Sequence, residues 1–209
     1  MKLLAHRGQW LEREETNSFH AFERAWSNGY GIETDLRDLD GAVVISHDPP
    51  ERGVRSLDEF VAAYAARGVG TPLALNVKAD GLQSAIAKAI ARHRVQNYFV
   101  FDMSVPDSLH YLRAGVPVFV RLSEYEQESP LLERAAGVWL DAFESEWWTL
   151  DTLRWLHARG KAVAIVSPEL HKRPHEPLWR SLRELERETR DSLMLCTDLP
   201  DAASETFAD

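Results

Sequence analysis

Short apolar runs that alternate with amphipathic stretches predict an α/β chain folded as a compact, single (β/α)8 TIM barrel with a small β-hairpin after its second strand. Two further observations support that class. The 209 residues suit one domain with a large core. No Pro/Gly/Ser-rich linker, low-complexity run or repeated block divides them, so a single domain over 1–209 is expected. The strands are expected at 2–5, 31–36, 72–77, 98–101, 117–122, 137–140, 162–166 and 192–196, each a short apolar run. Between them 18–27, 56–66, 82–93, 107–114, 149–159 and 177–190 have helical periodicity, most opened by a Ser, Thr, Asp or Pro start signal. Eight strand–helix pairs would close the barrel. Asp40-Gly41 followed by 42–46 predicts a turn and a short strand folded back onto strand two, which returns His47 to the barrel mouth.

Composition narrows the partners. Lys and Arg number 24 against 33 Asp and Glu, a net charge of −9, which opposes broad attraction to nucleic acid or to an anionic membrane. An anionic substrate then needs a local cation or a few basic side chains, whose charge in a cleft outweighs a surface excess screened over about 8 Å. The opening MKLLAHRG reaches a His-Arg pair too soon for a signal peptide. No apolar run is long enough to span a bilayer, and no stable membrane insertion is expected. Cys196 is the single cysteine, so an intramolecular disulfide is impossible, and a cytoplasmic location is expected. Oligomeric state is not encoded in any feature of the sequence.

Barrel active sites form where strands end at their C-terminal side. Strand one ends in His6-Arg7-Gly8, strand two carries Glu33-Thr34-Asp35, the hairpin delivers His47-Asp48, and strand three carries Asn76-Val77-Lys78. Side chains alternate along a strand, so Glu33 and Asp35 share a face, as do Asn76 and Lys78. Two close carboxylates repel and call for a cation; oxygen donors suit Mg²⁺ or Ca²⁺, with the Asn76 carbonyl as a neutral ligand. His6 and His47 can serve as general acid and base, and Lys78 can neutralise phosphoryl charge. Taken singly, each residue fits a strand-end cap or a salt bridge. Taken together, they stand at consecutive strand ends where a purely structural barrel favours Val, Ile and Leu, and they are costly to bury unpaired. Farther on, Asp102, Arg121, Asp141, Ser167-Pro168-Glu169 and His171 could line the pocket. Arg121 could clamp a phosphate through its forked donors or pair with Asp102 or Asp141. Trp147-Trp148 could form a rim or pack a helix start. Histidines 20, 93, 110, 157 and 175 are expected to be ordinary solvated residues.

The order His6-Arg7-Gly8, Glu15-Thr16-Asn17-Ser18, Glu33-x-Asp35, Asp40-Gly41 and His47-Asp48 resembles the glycerophosphodiester phosphodiesterase family, part of a superfamily of phosphatidylinositol-phospholipase-C-like barrels. The match is concentrated in the first quarter of the chain; Asn76-x-Lys78 and Thr197-Asp198-Leu199-Pro200 extend it. The resemblance implies a phosphoric diester hydrolase of lipid metabolism, with His6 and His47 as the acid/base pair and Glu33 and Asp35 as metal ligands. It also implies a metal-ligating Glu directly before the Asn of a Glu-Asn-Thr motif, whereas here Thr16 separates Glu15 from Asn17. Glu15 could reach the metal from a longer loop, Asn17 could replace it, or Glu15 could cap the following helix. The family's Glu-x-Lys on strand three is Asn76-x-Lys78 here, and the short run Pro49-Pro50-Glu51-Arg52-Gly53 stands where the family often has a long glycerol-pocket insertion.

The resulting expectation is a metal-dependent phosphodiesterase acting on a small glycerophosphodiester-like or related phosphodiester. His6, His47 and Lys78 are the expected catalytic residues, and Arg7, Lys78 and Arg121 the substrate contacts. Glu33, Asp35, Asn76 and Glu15 would hold one divalent metal, Mg²⁺ or Ca²⁺. The alternatives are a lyase that stops at a cyclic phosphate and a non-catalytic phosphate-binding barrel.

Overall fold

Alternating burial along the strands builds the architecture. The computed structural model describes residues 1–68 and 70–208. Its strands are β1 (Lys2–His6), β2 (Gly31–Leu39), β3 (Ala42–Ile45), β4 (Leu73–Val77), β5 (Tyr98–Phe101), β6 (Phe119–Leu122), β7 (Gly137–Leu140), β8 (Ala162–Val166) and β9 (Leu193–Thr197). Eight of them pair in parallel in the order β5-β4-β2-β1-β9-β8-β7-β6, and β3 pairs antiparallel with the end of β2. The ring closes between β5 and β6 through a bridge from Val100 to Val118, with the Val100 N–H donating to the Pro117 carbonyl at 2.9 Å. This is the expected (β/α)8 barrel, hairpin included.

The helices are α1 (Phe19–Ser27), α2 (Leu57–Arg67), α3 (Gln83–Arg92), α4 (Val105–Arg113), α5 (Leu150–Ala158), α6 (Glu176–Leu182), α7 (Arg187–Ser192) and α8 (Pro200–Phe207). Side-chain oxygens of Ser18, Ser56 and Ser104 accept a free N–H in the first turns of α1, α2 and α4. Three details depart from the sequence reading. The helix expected over 177–190 is broken into α6 and α7: α6 ends at Leu182, and Glu186, at φ −54° and ψ 139°, is non-helical ahead of α7. The connection from β6 to β7 holds no α-helix: a reciprocal Ser123–Glu126 backbone turn and Pro130 replace it. The closing α8, begun at Pro200, lies outside the expected helices.

Inward side chains of β1 and β4 to β9 fill the lower barrel, among them Leu4, Ala74, Ala164 and Cys196. Phe99 stacks on Phe119 with centroids 3.7 Å apart, and Phe101 stacks on Trp139 at 3.9 Å. These large rings sit on the side of the thinly bonded β5–β6 seam, while alanines face them from β4 and β8. Outward residues pack into two helix-covered clusters, one under α1 to α4 and one under α5 to α8.

The turn from β1 to α1 depends on Gly8. Arg7 and Gly8 both have positive φ, at 57° and 86°. A Cβ on Gly8 would stand 2.8 Å from the Cβ of Ala21 and 2.9 Å from its carbonyl carbon. Gly29 also has positive φ, 76°, but nothing lies within 4 Å of its Cβ position. Gly29→Ala should therefore lose only the left-handed backbone preference, about 1 kcal/mol. Gly8→Ala should add a clash with α1 and lose about 2 to 4 kcal/mol in all. Urea unfolding of both variants is the check, and equal losses would mean that α1 yields without cost.

Candidate active site

The inward positions of β1, β2 and β4 bring the first group of residues together. His6 is the register partner of Glu33, and Asp35 that of Asn76, so the four side chains stand on neighbouring strands at the same end of the barrel. Glu33 and Asp35 are each 1% exposed. Burial, and then the charge of Asp35, raises the Glu33 carboxyl to about 7. His6 points Nε2 toward Glu33, 3.9 Å from Oε2, and holds Asp198 Oδ1 with Nδ1 at 2.7 Å. Burial pulls the His6 pKa down, but the hydrogen bond to Asp198 and the charges of Glu33 and Asp198 outweigh it, and the net shift is upward.

Asp35 is enclosed by donors and cations. Its Oδ2 accepts from Asn17 Nδ2 at 3.0 Å and lies 3.1 Å from Arg7 Nε, while Lys78 Nζ is 3.6 Å from Oδ1. Thr34 Oγ1 donates to Asn17 Oδ1 at 2.7 Å, so the amide oxygen of Asn17 is already used and its NH₂ faces the carboxylate. Asn17 therefore braces Asp35. Among the described residues, Asp35 Oδ1 and Asn76 Oδ1 are buried without a hydrogen-bond partner. Two carboxylates and an amide carbonyl, with two orphaned oxygens among them, make a donor set that fits a hard divalent cation. No three His, Cys, Asp or Glu groups among the described residues gather into a metal cage. Arg7 and Lys78 supply the balancing charge instead.

Glu15 is not brought to this group. Both of its oxygens face Arg24, at 3.0 to 3.2 Å, and Oε2 also accepts the Leu11 N–H at 2.9 Å. The extra residue before Asn17 puts Glu15 in a 3-10 turn, Arg13–Glu15, where α1 offers it a guanidinium. Ser18, not Glu15, caps α1.

His47 follows β3 on the rim. Its side chain is 43% exposed, with Nδ1 2.9 Å from Asp48 Oδ1. Arg37 Nε donates to the His47 carbonyl at 2.8 Å, which ties the hairpin to β2. Arg37 extends the face of Glu33 and Asp35 by one more period of two, a signal the sequence carried. His47, Arg7 and Asn17 line one cleft of about 670 Å³ beside the carboxylates.

Ion pairs continue around the mouth. Lys78 Nζ lies 3.4 Å from Asp102 Oδ2, and Arg121 bridges Asp102 at 2.6 Å and Glu126 at 2.8 Å. Arg121 is thus engaged with Asp102, one of its two expected partners. Asp141 pairs with His171 Nε2 at 2.7 Å. Trp147 Nε1 donates to the Asp141 carbonyl at 2.7 Å, and Trp148 is buried ahead of α5. Glu169 accepts from Ser167 and Thr197 hydroxyls, each at 2.5 Å, and from the Asp198 N–H at 3.2 Å. It thereby holds the loop that carries Asp198. The sequence showed Asp198 only inside Thr197-Asp198-Leu199-Pro200; its partnership with His6, 192 residues away, had no local trace.

No protein-family model and no curated protein matches the sequence. Solved structures match the fold. A glycerophosphodiester phosphodiesterase from Agrobacterium tumefaciens str. C58 superposes with TM-score 0.70 at 15% identity, over 98% of this chain and 99% of that one. A phosphodiesterase from Oleispira antarctica, in complex with the product sn-glycerol-3-phosphate, gives 0.71 at 15% identity, over 99% and 96%. A Ca²⁺-dependent phosphatidylinositol-specific phospholipase C from Streptomyces antibioticus gives 0.53 at 12% identity, over 97% and 95%. The barrel of this chain is therefore the fold that these phosphodiesterases share.

Proposed function

We propose that this chain is a metal-dependent phosphodiesterase that hydrolyses a small glycerophosphodiester-like or related phosphodiester. The observation that carries the reading is the pair of buried inward carboxylates, Glu33 and Asp35, beside a histidine anchored through its far nitrogen by Asp198. The shared fold with phosphodiesterases adds support. Glu33, Asp35 and Asn76 would hold a divalent cation, which supplies charge neutralisation at the phosphoryl oxygens. Asp198 keeps Nδ1 of His6 occupied and leaves Nε2 to exchange a proton. One histidine of the pair His6 and His47 takes a proton from the attacking water as the new P–O bond forms. The other protonates the alcohol oxygen as its bond to phosphorus breaks. Arg7 and Lys78, both beside Asp35, contribute positive charge for the phosphoryl oxygens. Arg121 would reach the substrate by releasing Asp102 or Glu126.

Three outcomes test this reading. Excess chelator should abolish turnover and Mg²⁺, Mn²⁺ or Ca²⁺ should restore it. Asn76→Ala should raise the metal concentration required by about tenfold or more, while Glu15→Gln should not change it. Full activity in chelator overturns the metal requirement.

Replacing His6 or His47 with Ala should each lower kcat by about 10²-fold or more and change KM less. Phosphorus NMR should find a phosphomonoester as the product, whereas a cyclic phosphodiester would mark a lyase. A variant with normal turnover on an alkyl ester would remove that histidine from the mechanism.

Glu33 should contribute to the pH dependence of stability in the metal-free protein. Its folded value, about 7, lies above the ordinary carboxyl value of 4.5. The folded chain therefore favours the protonated form, and this contribution to stability is complete below 4.5 and is lost as pH rises through about 7. In chelator, the melting temperature of the wild type relative to Glu33→Gln should fall across that window and level off above it. A difference independent of pH would mean that Glu33 stays ionised throughout.

A further inference from the structure

We propose that the cleft beside the candidate centre binds a second anionic group, so that the preferred substrate is a phosphodiester whose alcohol arm carries a phosphate monoester or a carboxylate. The chemistry rests on the phosphodiesterase reading above; the binding does not. The cleft, about 670 Å³, is lined by Arg7, Arg13, Asn17, His47, Asp48 and Arg55 among others. In a chain of net charge −9, this one wall gathers three arginines and a histidine against a single acidic residue. That carboxylate, Asp48, is 87% exposed and turned toward His47.

The two arginines that the catalytic reading does not use are Arg13 and Arg55. Arg13 is exposed on the 3-10 turn, and its carbonyl accepts the Thr16 hydroxyl at 2.9 Å, which fixes its backbone. Among the described residues no carboxylate pairs with its side chain. Glu12 and Glu14 flank it in sequence but do not line the cleft. Arg55 is fixed by its carbonyl, which accepts the Ile45 N–H at 2.8 Å, and its guanidinium rests 5.5 Å from the Phe19 ring centroid. Its pair with Glu59, at 3.0 Å, is an exposed helix-start contact. Such pairs are weak and engage few of the five guanidinium donors. Arg7 reaches from the cleft to Asp35, so the wall is continuous with the reacting centre.

The opposite rim has its arginines already paired with carboxylates. On the connections around β6 and β7, Glu124 accepts the Phe143 and Glu144 N–H groups, while Glu126 and Glu146 pair with Arg121 and Arg173. An anionic arm is thus drawn to the Arg13–Arg55 side, where, among the described residues, Arg13 has no carboxylate partner and Arg55 only an exposed one.

The test compares phosphodiesters that differ only in the alcohol arm: neutral, carboxylate, phosphate monoester and trimethylammonium. Two exposed charge contacts predict that wild-type kcat/KM is about tenfold higher for the anionic arms than for the neutral one, and lowest for the cation. In the double variant Arg13→Ala/Arg55→Ala the anionic esters should fall to the neutral value. Equal kcat/KM for all arms in the wild type, or a preference that survives in the double variant, overturns the proposal. Calorimetric titration with inorganic phosphate is the arm that needs no turnover: affinity should weaken several-fold in the double variant, and unchanged affinity overturns the cleft. A protein that cleaves no ester yet loses phosphate affinity in the double variant removes the phosphodiesterase reading and leaves the anion cleft standing.

Discussion

Burying Glu33 and Asp35 on one face of β2 costs free energy that the surrounding residues must offset. Much of the barrel mouth follows from that demand. Arg7 can reach Asp35 because the chain takes two left-handed residues in succession, and Gly8 allows this by pressing its bare Cα against α1. Asn17 is locked by Thr34 so that it can only donate. Lys78 stands between Asp35 and Asp102, and Asp102 in turn holds Arg121. The carboxylates still keep one unsatisfied oxygen, and Asn76 keeps another. These two oxygens, left short at the centre of a region surrounded by donors, are the ground for the cation site proposed above.

Local periodicity explains what could be read from the sequence. Strand positions, the Asp40-Gly41 hairpin and the shared faces of Glu33 with Asp35 and Asn76 with Lys78 are set by spacing within a few residues, and they recur in the structure. Partnerships across loops were not readable. Nothing near Glu15 announces that α1 will present Arg24 to it, and nothing near His6 points to Asp198 at the far end of the chain. The division of 177–190 into α6 and α7 has no Gly or Pro to mark it; buried Leu182 and Leu185 continue a helical pattern that the backbone abandons. The helix-free link from β6 to β7 is a similar case, since Ser123 and Glu126 close it through backbone atoms.

Net charge describes this chain poorly. An overall excess of acid coexists with a cleft lined by Arg7, Arg13 and Arg55 on the β1–β3 side of the mouth, while on the β6–β7 side Arg121 and Arg173 are paired with Glu126 and Glu146. Over the few ångströms of a cleft, arrangement governs the potential that a small anion meets.

The seam between β5 and β6 carries a different consequence. Elsewhere the barrel is fastened by continuous backbone ladders, but here a bridge at Val100 is reinforced by stacked rings of Phe99 on Phe119 and Phe101 on Trp139. The ring is in effect a rolled sheet clasped by side chains. Should the clasp loosen, β5 and β6 become two free strand edges with unpaired N–H and C=O groups, ready to recruit the same edges of a neighbouring chain. The aromatic filling therefore covers a strand edge as well as occupying space: the stacked rings span the β5–β6 seam where the backbone ladder is shortest.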